Sequence, residues 1–305
     1  MRILLTGGTG FLGQKVVENS IKYRIHVVVI GRKKFPSYFF SNKNTTFMYA
    51  DIADRRSLEK IVKKCGDVDT IVHLAAFVPK SKKEDDPLRM FKTNTEGTIN
   101  LLEAFGKQIK SFVYASTAEI YGLQERKKLI SEDDSPDPLS FYAASKLAAE
   151  YYCRIYAEKQ KISLIILRFS VICGSKDKTD RAVPNFVRAA LSHRKPKVYD
   201  GEELRDYLSV EDATQAVYCA AMETHISGVF NIGSGKGIKV KKAAEIISAI
   251  VDPQLGIEVL PREKRQANIV LDITRAKKYL AYKPVYNFKI IAKELIEYKK
   301  SVTYD

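Results

Sequence analysis

The chain has 305 residues, 45% of them hydrophobic and 29% charged, with a formal net charge of +15 at pH 7. That length supports a full core, as one large domain or two closely joined ones, in a composition ordinary for a soluble globular protein. No apolar run approaches the roughly 20 residues that span a bilayer, no signal-peptide pattern opens the chain, and Cys65, Cys153, Cys173 and Cys219 lack metal-ligand spacing. The expectation is a cytoplasmic protein with reduced, mostly buried thiols and no metal.

The positive charge is scattered in lysine pairs such as Lys63-Lys64, Lys241-Lys242 and Lys299-Lys300, and no block reaches five like charges. Aromatic residues do not interleave with these pairs as they would on a base-stacking platform. Solvated helix faces account for the charge, so neither nucleic acid nor membrane is an expected partner.

The chain opens on an apolar strand, Ile3-Leu-Leu5, which runs into glycines at 7, 8, 10 and 13. A helical pattern follows, with Leu12, Val16, Val17 and Ile21 on one face. Strand, glycine turn and helix in this order form the setting of a dinucleotide fingerprint. Gly7 and Gly8 permit the tight turn, Gly10 lets backbone N–H groups reach a pyrophosphate, and Gly13 lets the helix pack on its strand. A second strand, His26 to Ile30, ends at Gly31-Arg32. An acidic residue at that point binds ribose hydroxyls and repels a 2′-phosphate. Gly31 and Arg32 suit a phosphate better, which favours NADP over NAD, although a basic surface loop would read the same way.

A third strand spans Thr46 to Ala50 and leads to Asp51-Ile52, and a helix follows from about Ser57 to Lys64. Strand four is Thr70 to Leu74, with the small Ala75 and Ala76 leaving room for a ligand at its carboxyl end. Pro87 opens a helix to about Phe105, with Asn94 in its middle needing polar partners. Strand five is Ser111 to Ser116, and 123–140 reads as a charged surface loop. A helix from Phe141 to about Lys159 and a strand from Ser163 to Phe169 complete the alternation, which implies a parallel sheet covered on both faces. Beyond Gly174 the order changes: a helix from about Val183 to Ser192, a short extended stretch plus helix over 205–222, a strand at Val229–Ile232, then helix, strand and helix. The expected organisation is a dinucleotide-binding domain over 1–170, with 205–232 returning to it, and a smaller substrate domain over 171–305.

Tyr142 and Lys146 lie four residues apart, on one face of a helix. A nearby ammonium favours the phenolate and lowers the tyrosine's pKa towards acid/base use. In isolation the pair is better explained by a packing tyrosine beside a surface lysine. Its place after strand five, whose end carries Ser116-Thr117, lets a hydroxyl, a phenol and an ammonium converge at the ligand edge of the sheet.

With these residues in view, the chain resembles the extended short-chain dehydrogenase/reductases, the family of nucleotide-sugar epimerases and dehydratases. The resemblance rests on Thr6–Gly13, Asp51-Ile52, His73–Ala76, Asn94–Glu103, Ala115–Gly122, Tyr142–Lys146, Leu167-Arg168, Arg205–Asp212 and Asn231–Gly235, from end to end of the chain. It implies a Rossmann-type doubly wound α/β fold with a smaller mixed C-terminal substrate domain. It also implies a nucleotide-sugar substrate and a homodimer. Around the cofactor it places Gly7, Gly10, Phe11, Leu12 and Gly13 on one side, and Asp51, Ile52, Leu74, Ala75, Ala76 and Asn94 on the other. Tyr142 would be the general acid/base, Lys146 would hold the nicotinamide ribose, and Thr117 would bond the sugar 4-hydroxyl. Arg205 and Arg265 match positions that contact the nucleotide diphosphate.

Three departures bear on the activity. Gly31 replaces the usual acidic residue of NAD-dependent members. Val171 stands where the family has a substrate-contacting asparagine. Thr117-Ala118-Glu119 lacks the acid that dehydratases use at position 118, while Glu119 is also found in the decarboxylase branch. The sequence therefore implies a 4-epimerase acting by transient C4 oxidation. An NADP-dependent reductase of a 4-keto sugar is the alternative, a dehydratase or decarboxylase follows, and a non-enzymatic dinucleotide-binding regulator comes last.

Overall fold

Strand β1 (Arg2–Thr6) buries Leu4 and Leu5 completely, and its parallel neighbours are equally apolar, as a sheet covered on both faces requires. The computed structural model describes residues 1–32, 44–79, 84–123, 129–177, 179–263 and 266–303. After β1 come α1 (Phe11–Asn19), β2 (His26–Gly31), β3 (Thr45–Tyr49), α2 (Arg55–Cys65) and β4 (Thr70–His73). The next helical segment has three parts: α3 (Pro87–Met90), a π-helical stretch (Phe91–Glu96) and α4 (Gly97–Phe105). Strand β5 (Ser111–Thr117) runs into a 3₁₀ turn (Ala118–Tyr121), then α5 (Phe141–Gln160) and β6 (Ser163–Phe169).

The remaining elements are β7 (Val171–Cys173), α6 (Ala182–Leu191), β8 (Lys197–Tyr199), β9 (Leu204–Ser209) and α7 (Val210–Met222). Strand β10 (Gly228–Ile232) precedes β11 (Gly237–Lys239) and α8 (Val240–Val251). The chain closes through β12 (Glu258–Leu260), α9 (Thr274–Tyr279) and α10 (Phe288–Thr303).

Seven parallel strands in the order β10-β6-β5-β4-β1-β2-β3 form the main sheet. The order reverses direction between β1 and β4, which opens a crevice at their carboxyl ends. One face packs Val16 and Val17 of α1 and Ala213, Ala216 and Val217 of α7. The other packs Leu58 of α2, Leu101 of α4 and Ala149 of α5. A third apolar cluster, in the C-terminal part, joins Phe186, Ile247, Phe288 and Leu295 around the small sheet β11-β9-β7. This is the Rossmann-type fold with a smaller mixed C-terminal part.

Several details differ from the sequence expectation. Helix α1 stops at Asn19, and Ile21 is exposed rather than part of its apolar face. Within the predicted 123–140 loop, Ile130 is buried and pairs with Leu271, and the Glu132 carboxylate accepts the Asn231 N–H at 2.8 Å. Strand β9 belongs to the small sheet, whereas α7 and β10 pack on or in the main one.

Candidate active site

The crevice is lined first by the glycine turn. Gly7 has φ of +76°, and a Cβ there would lie 2.6 Å from the Ala75 nitrogen, so only glycine admits the close pass of β1 by the end of β4. A Cβ on Gly13 would meet the Gly7 carbonyl, which fixes the packing of α1 on the turn. Gly10 begins α1 with no side-chain cap, leaving the first-turn N–H groups directed at the crevice. This cradle fits a pyrophosphate: its amides and the helix dipole both favour negative charge. Phe11 and Leu12 are half-buried beside it, as are Leu74, Ala75 and Ala76 opposite.

At the outer end, Arg32 follows β2 and its guanidinium lies 3.5 Å from the Asp51 carboxylate after β3. Asp51 also accepts the Ala53 N–H, and Ile52 packs against Gly97 while its carbonyl takes a bond from Asn100.

A buried polar chain ties the turn to α5, the helix of Tyr142 and Lys146. Ala75 N–H donates to Thr6 Oγ1, which bonds His73 Nδ1 at 2.6 Å. On the other side of the ring, His73 Nε2 bonds Thr98 Oγ1 at 2.9 Å, and Thr98 donates to the Asn94 carbonyl. Because the Thr98 hydrogen is committed, His73 carries its proton on Nε2 and accepts at Nδ1. Burial drives its pKa down to about 3, so the ring is neutral. The π-helical widening at Phe91–Glu96 turns Asn94 and Thr95 towards α5 together. Asn94 accepts the Phe77 N–H and donates to the Phe77 carbonyl and to Ser145, while Thr95 donates to the Ser145 carbonyl.

Lys146 is 2% exposed, and its ammonium lies 4.1 Å from the centre of the Tyr114 ring. Loss of hydration lowers its pKa to about 7, against the opposing pull of Cys153 and Glu150. Thr117 is buried at the end of β5. Its oxygen caps the 3₁₀ turn by accepting the Glu119 N–H at 3.2 Å, so the hydroxyl hydrogen is directed elsewhere. Tyr142 is half-buried one helical turn before Lys146. The expected lowering of its pKa is not what the fold produces. Burial raises it, Glu119 adds to the rise, and Arg181 opposes both. Glu119 itself is raised by desolvation and pulled back by Arg181 and Arg205.

Arg205, on β9, forks onto the Leu204 carbonyl at 3.0 Å, the Ala267 carbonyl and the Gln266 amide oxygen. Arg265 lies outside the described residues. Val171 packs against the C-terminal cluster and offers no polar contact where the family carries asparagine. Sequence reasoning assigned no role to Arg181, Ser145, Glu150 or Tyr114. Glu150 stands four residues beyond Lys146, and that spacing was the available signal.

A doubly wound sheet with this turn and this hydroxyl, phenol and ammonium set defines a nicotinamide-dependent enzyme of the short-chain dehydrogenase/reductase type. Residues 3–233 match the model of the NAD dependent epimerase/dehydratase family, and the chain belongs to it. It is 31% identical to a putative UDP-glucose 4-epimerase of Methanocaldococcus jannaschii over 98% of each chain. Among solved structures it is similar to the UDP-glucose 4-epimerase of Thermotoga maritima with UDP-glucose, at TM-score 0.88 and 29% identity, covering 99% of this chain and 100% of that one. It is also similar to the Thermus thermophilus UDP-glucose 4-epimerase complex with NAD, at TM-score 0.86 and 26% identity, covering 98% and 99%. No helix among the described residues is long and apolar enough to cross a membrane.

Proposed function

We propose that the protein is a nucleotide-sugar 4-epimerase that oxidises C4 transiently and restores it with the opposite configuration. The observation that carries this reading is the composition of the catalytic edge. Thr117, Tyr142 and Lys146 supply the groups for alcohol oxidation, while Ala118, 3% exposed, leaves no acid at that position to expel a neighbouring hydroxyl. Tyr142 takes the proton from the 4-hydroxyl and gives it back. Thr117 donates to the same oxygen and orients it. Lys146 holds the ribose hydroxyls of the cofactor, and Glu119 shapes the field around the phenol. A bound nicotinamide dinucleotide supplies the hydride acceptor. Gly7, Gly10 and α1 would hold its pyrophosphate, and Arg205 with Arg265 the substrate diphosphate. The solved epimerases with UDP-glucose and with NAD support the substrate and cofactor classes.

Incubation with UDP-glucose and with UDP-N-acetylglucosamine, followed by chromatography, tests the reading. Interconversion to the 4-epimer with no net change in nicotinamide absorbance is expected. Accumulation of a keto product overturns it. Stoichiometric consumption of NADPH by a 4-keto sugar would establish the reductase, which Arg32 following Gly31 favours.

The working division is a cofactor unit over 1–170 joined by parts of 205–232, and a substrate unit over 171–305, in a cytoplasmic enzyme. A second copy of the chain is the expected partner, because Leu88, Phe91, Phe141, Tyr151, Tyr152 and Ile155 expose apolar surface on adjoining helical segments. Light scattering at the dimer mass supports this, and a monomer at micromolar concentration removes it.

A further inference from the structure

One turn beyond Lys146, α5 carries a second buried ionisable residue to which the proposed chemistry assigns no role. Glu150 is 1% exposed. Its carboxylate accepts from Ser116 Oγ at 2.5 Å, from Arg168 Nε at 3.1 Å and from Arg168 Nη2 at 2.7 Å. The other arm of Arg168 donates to the Tyr121 hydroxyl at 2.9 Å, and Tyr121 donates to Asn231 on β10 at 2.8 Å. Each partner adjoins a residue of the candidate site. Ser116 precedes Thr117, Tyr121 closes the turn that carries Glu119, and Glu150 shares a helix with Tyr142 and Lys146.

We propose that Glu150 and Arg168 are positioning residues of the active site: their ion pair joins α5 to β6 and, with the Ser116 and Tyr121 bonds, fixes α5 against β5 and the 3₁₀ turn, and the Glu150 carboxylate keeps Lys146 in its ammonium form. The inference rests on the assignment of Lys146 to the cofactor ribose. A bidentate Arg–carboxylate pair is geometrically stringent, and breaking a buried one leaves an uncompensated charge.

The electrostatic half of the proposal follows from the company Lys146 keeps. Tyr114 faces it from β5, His73 from β4, and Cys153 and Glu150 from α5 itself. Burial raises the Tyr114 phenol and the Cys153 thiol and lowers the His73 imidazole, so all three are neutral at pH 7. Glu150 meets a guanidinium as a carboxylate and is the charged member of this set. Arg154, 3.9 Å from Glu150 and half exposed, is screened by solvent. Removing the Glu150 charge therefore weakens the opposition to burial at Lys146. The ammonium should then persist only at lower pH.

The experiment measures NAD(H) and NADP(H) affinity against pH for wild type, Glu150→Gln and Ser116→Ala, with thermal melts as the folding control. Because it reads cofactor binding, its failure is separate from failure of the epimerase assignment. In Glu150→Gln the midpoint at which affinity falls with rising pH should move down by about one unit or more. Affinity at neutral pH should then drop about tenfold, with recovery in acid. Ser116→Ala keeps the charges and should leave the midpoint where wild type has it. A loss of affinity in Glu150→Gln that is uniform across pH, or no loss, overturns the electrostatic role. Should Glu150→Gln fail to fold, Arg168→Lys decides the bracing role. It keeps one charge and loses the Tyr121 contact, so turnover should fall at least tenfold with the midpoint retained. Unchanged turnover overturns it.

Discussion

The Lys146 ammonium stands 4.1 Å from the centre of the Tyr114 ring, in a position with 2% of its surface exposed. A cation–π contact recovers only part of the hydration lost there. The lysine thus has a pKa near 7 in the folded chain against 10.5 as its ordinary value. Between those values the unfolded chain binds the extra proton, so stability rises with pH through that window, and the burial penalty is fully present below pH 7. Lys146→Met should therefore stabilise the cofactor-free protein at pH 7 by on the order of 1 kcal/mol, roughly 2–4 °C in Tm. The same variant should lose nicotinamide dinucleotide binding. A lower Tm with binding intact would show that the ammonium serves the fold and not the cofactor.

His73 acts with the same sign in an acid window. Its imidazole refuses a proton until about pH 3, whereas its ordinary value is 6.5. The unfolded chain takes that proton first, so stability is complete above pH 6.5 and is lost as pH falls towards 3. Chemical denaturation between pH 7 and 4 should show this decline. In His73→Gln, which keeps a donor and an acceptor for Thr98 and Thr6, the decline should be shallower. Parallel declines in both proteins would place the acid sensitivity elsewhere.

Much of the main sheet is legible because β1, β2, β5 and β6 are apolar runs, and β6 begins and ends where the pattern does. The glycine turn and the Tyr142–Lys146 spacing were legible for the same reason: they are local. Strands of three residues such as β7, β8 and β11 carry no period, and long-range pairing alone defines them. The widening around Asn94 was foreshadowed by a polar residue in mid-helix but not specified by it. The acidity of Tyr142 was misjudged because helical spacing gives the neighbour, whereas burial gives the sign.

Cofactor choice turns on Arg32. No carboxylate ends β2, and the Asp51 carboxylate is matched by Arg32 at 3.5 Å. NADP(H) should bind at least as tightly as NAD(H). Arg32→Ala should weaken NADP(H) by about 1.5–3 kcal/mol and NAD(H) far less, since it removes a charge-assisted contact to the 2′-phosphate alone. Calorimetric titration of both cofactors checks this. A clear preference of wild type for NAD(H) would mean that the guanidinium serves only Asp51.

Arg205 holds the segment around Ala267 through carbonyl contacts while its pKa is lowered by burial, a state an incoming diphosphate would relieve. UDP alone should raise the Tm of wild type. Arg205→Ala should bind UDP at least about tenfold more weakly, the loss of one or two charge-assisted bonds. Equal UDP affinity in the variant would move the diphosphate away from β9.

The proton chemistry gives the last test. Tyr142→Phe should keep fold and cofactor affinity and lose about 10²–10⁴-fold in turnover, the range for removal of a general acid/base. Thr117→Ala should cost less, because one hydrogen bond is lost and the base remains. Glu119 raises the Tyr142 pKa by placing negative charge beside the developing phenolate, and Arg181 acts in the opposite sense. In Glu119→Gln that repulsion is gone, so the rising alkaline limb of turnover against pH should move to lower pH. In Arg181→Gln it should move higher. A rate that depends on phenolate formation requires these opposite displacements. If both variants shift the limb the same way, or if Tyr142→Phe retains wild-type turnover, the phenol is not the group that moves the proton.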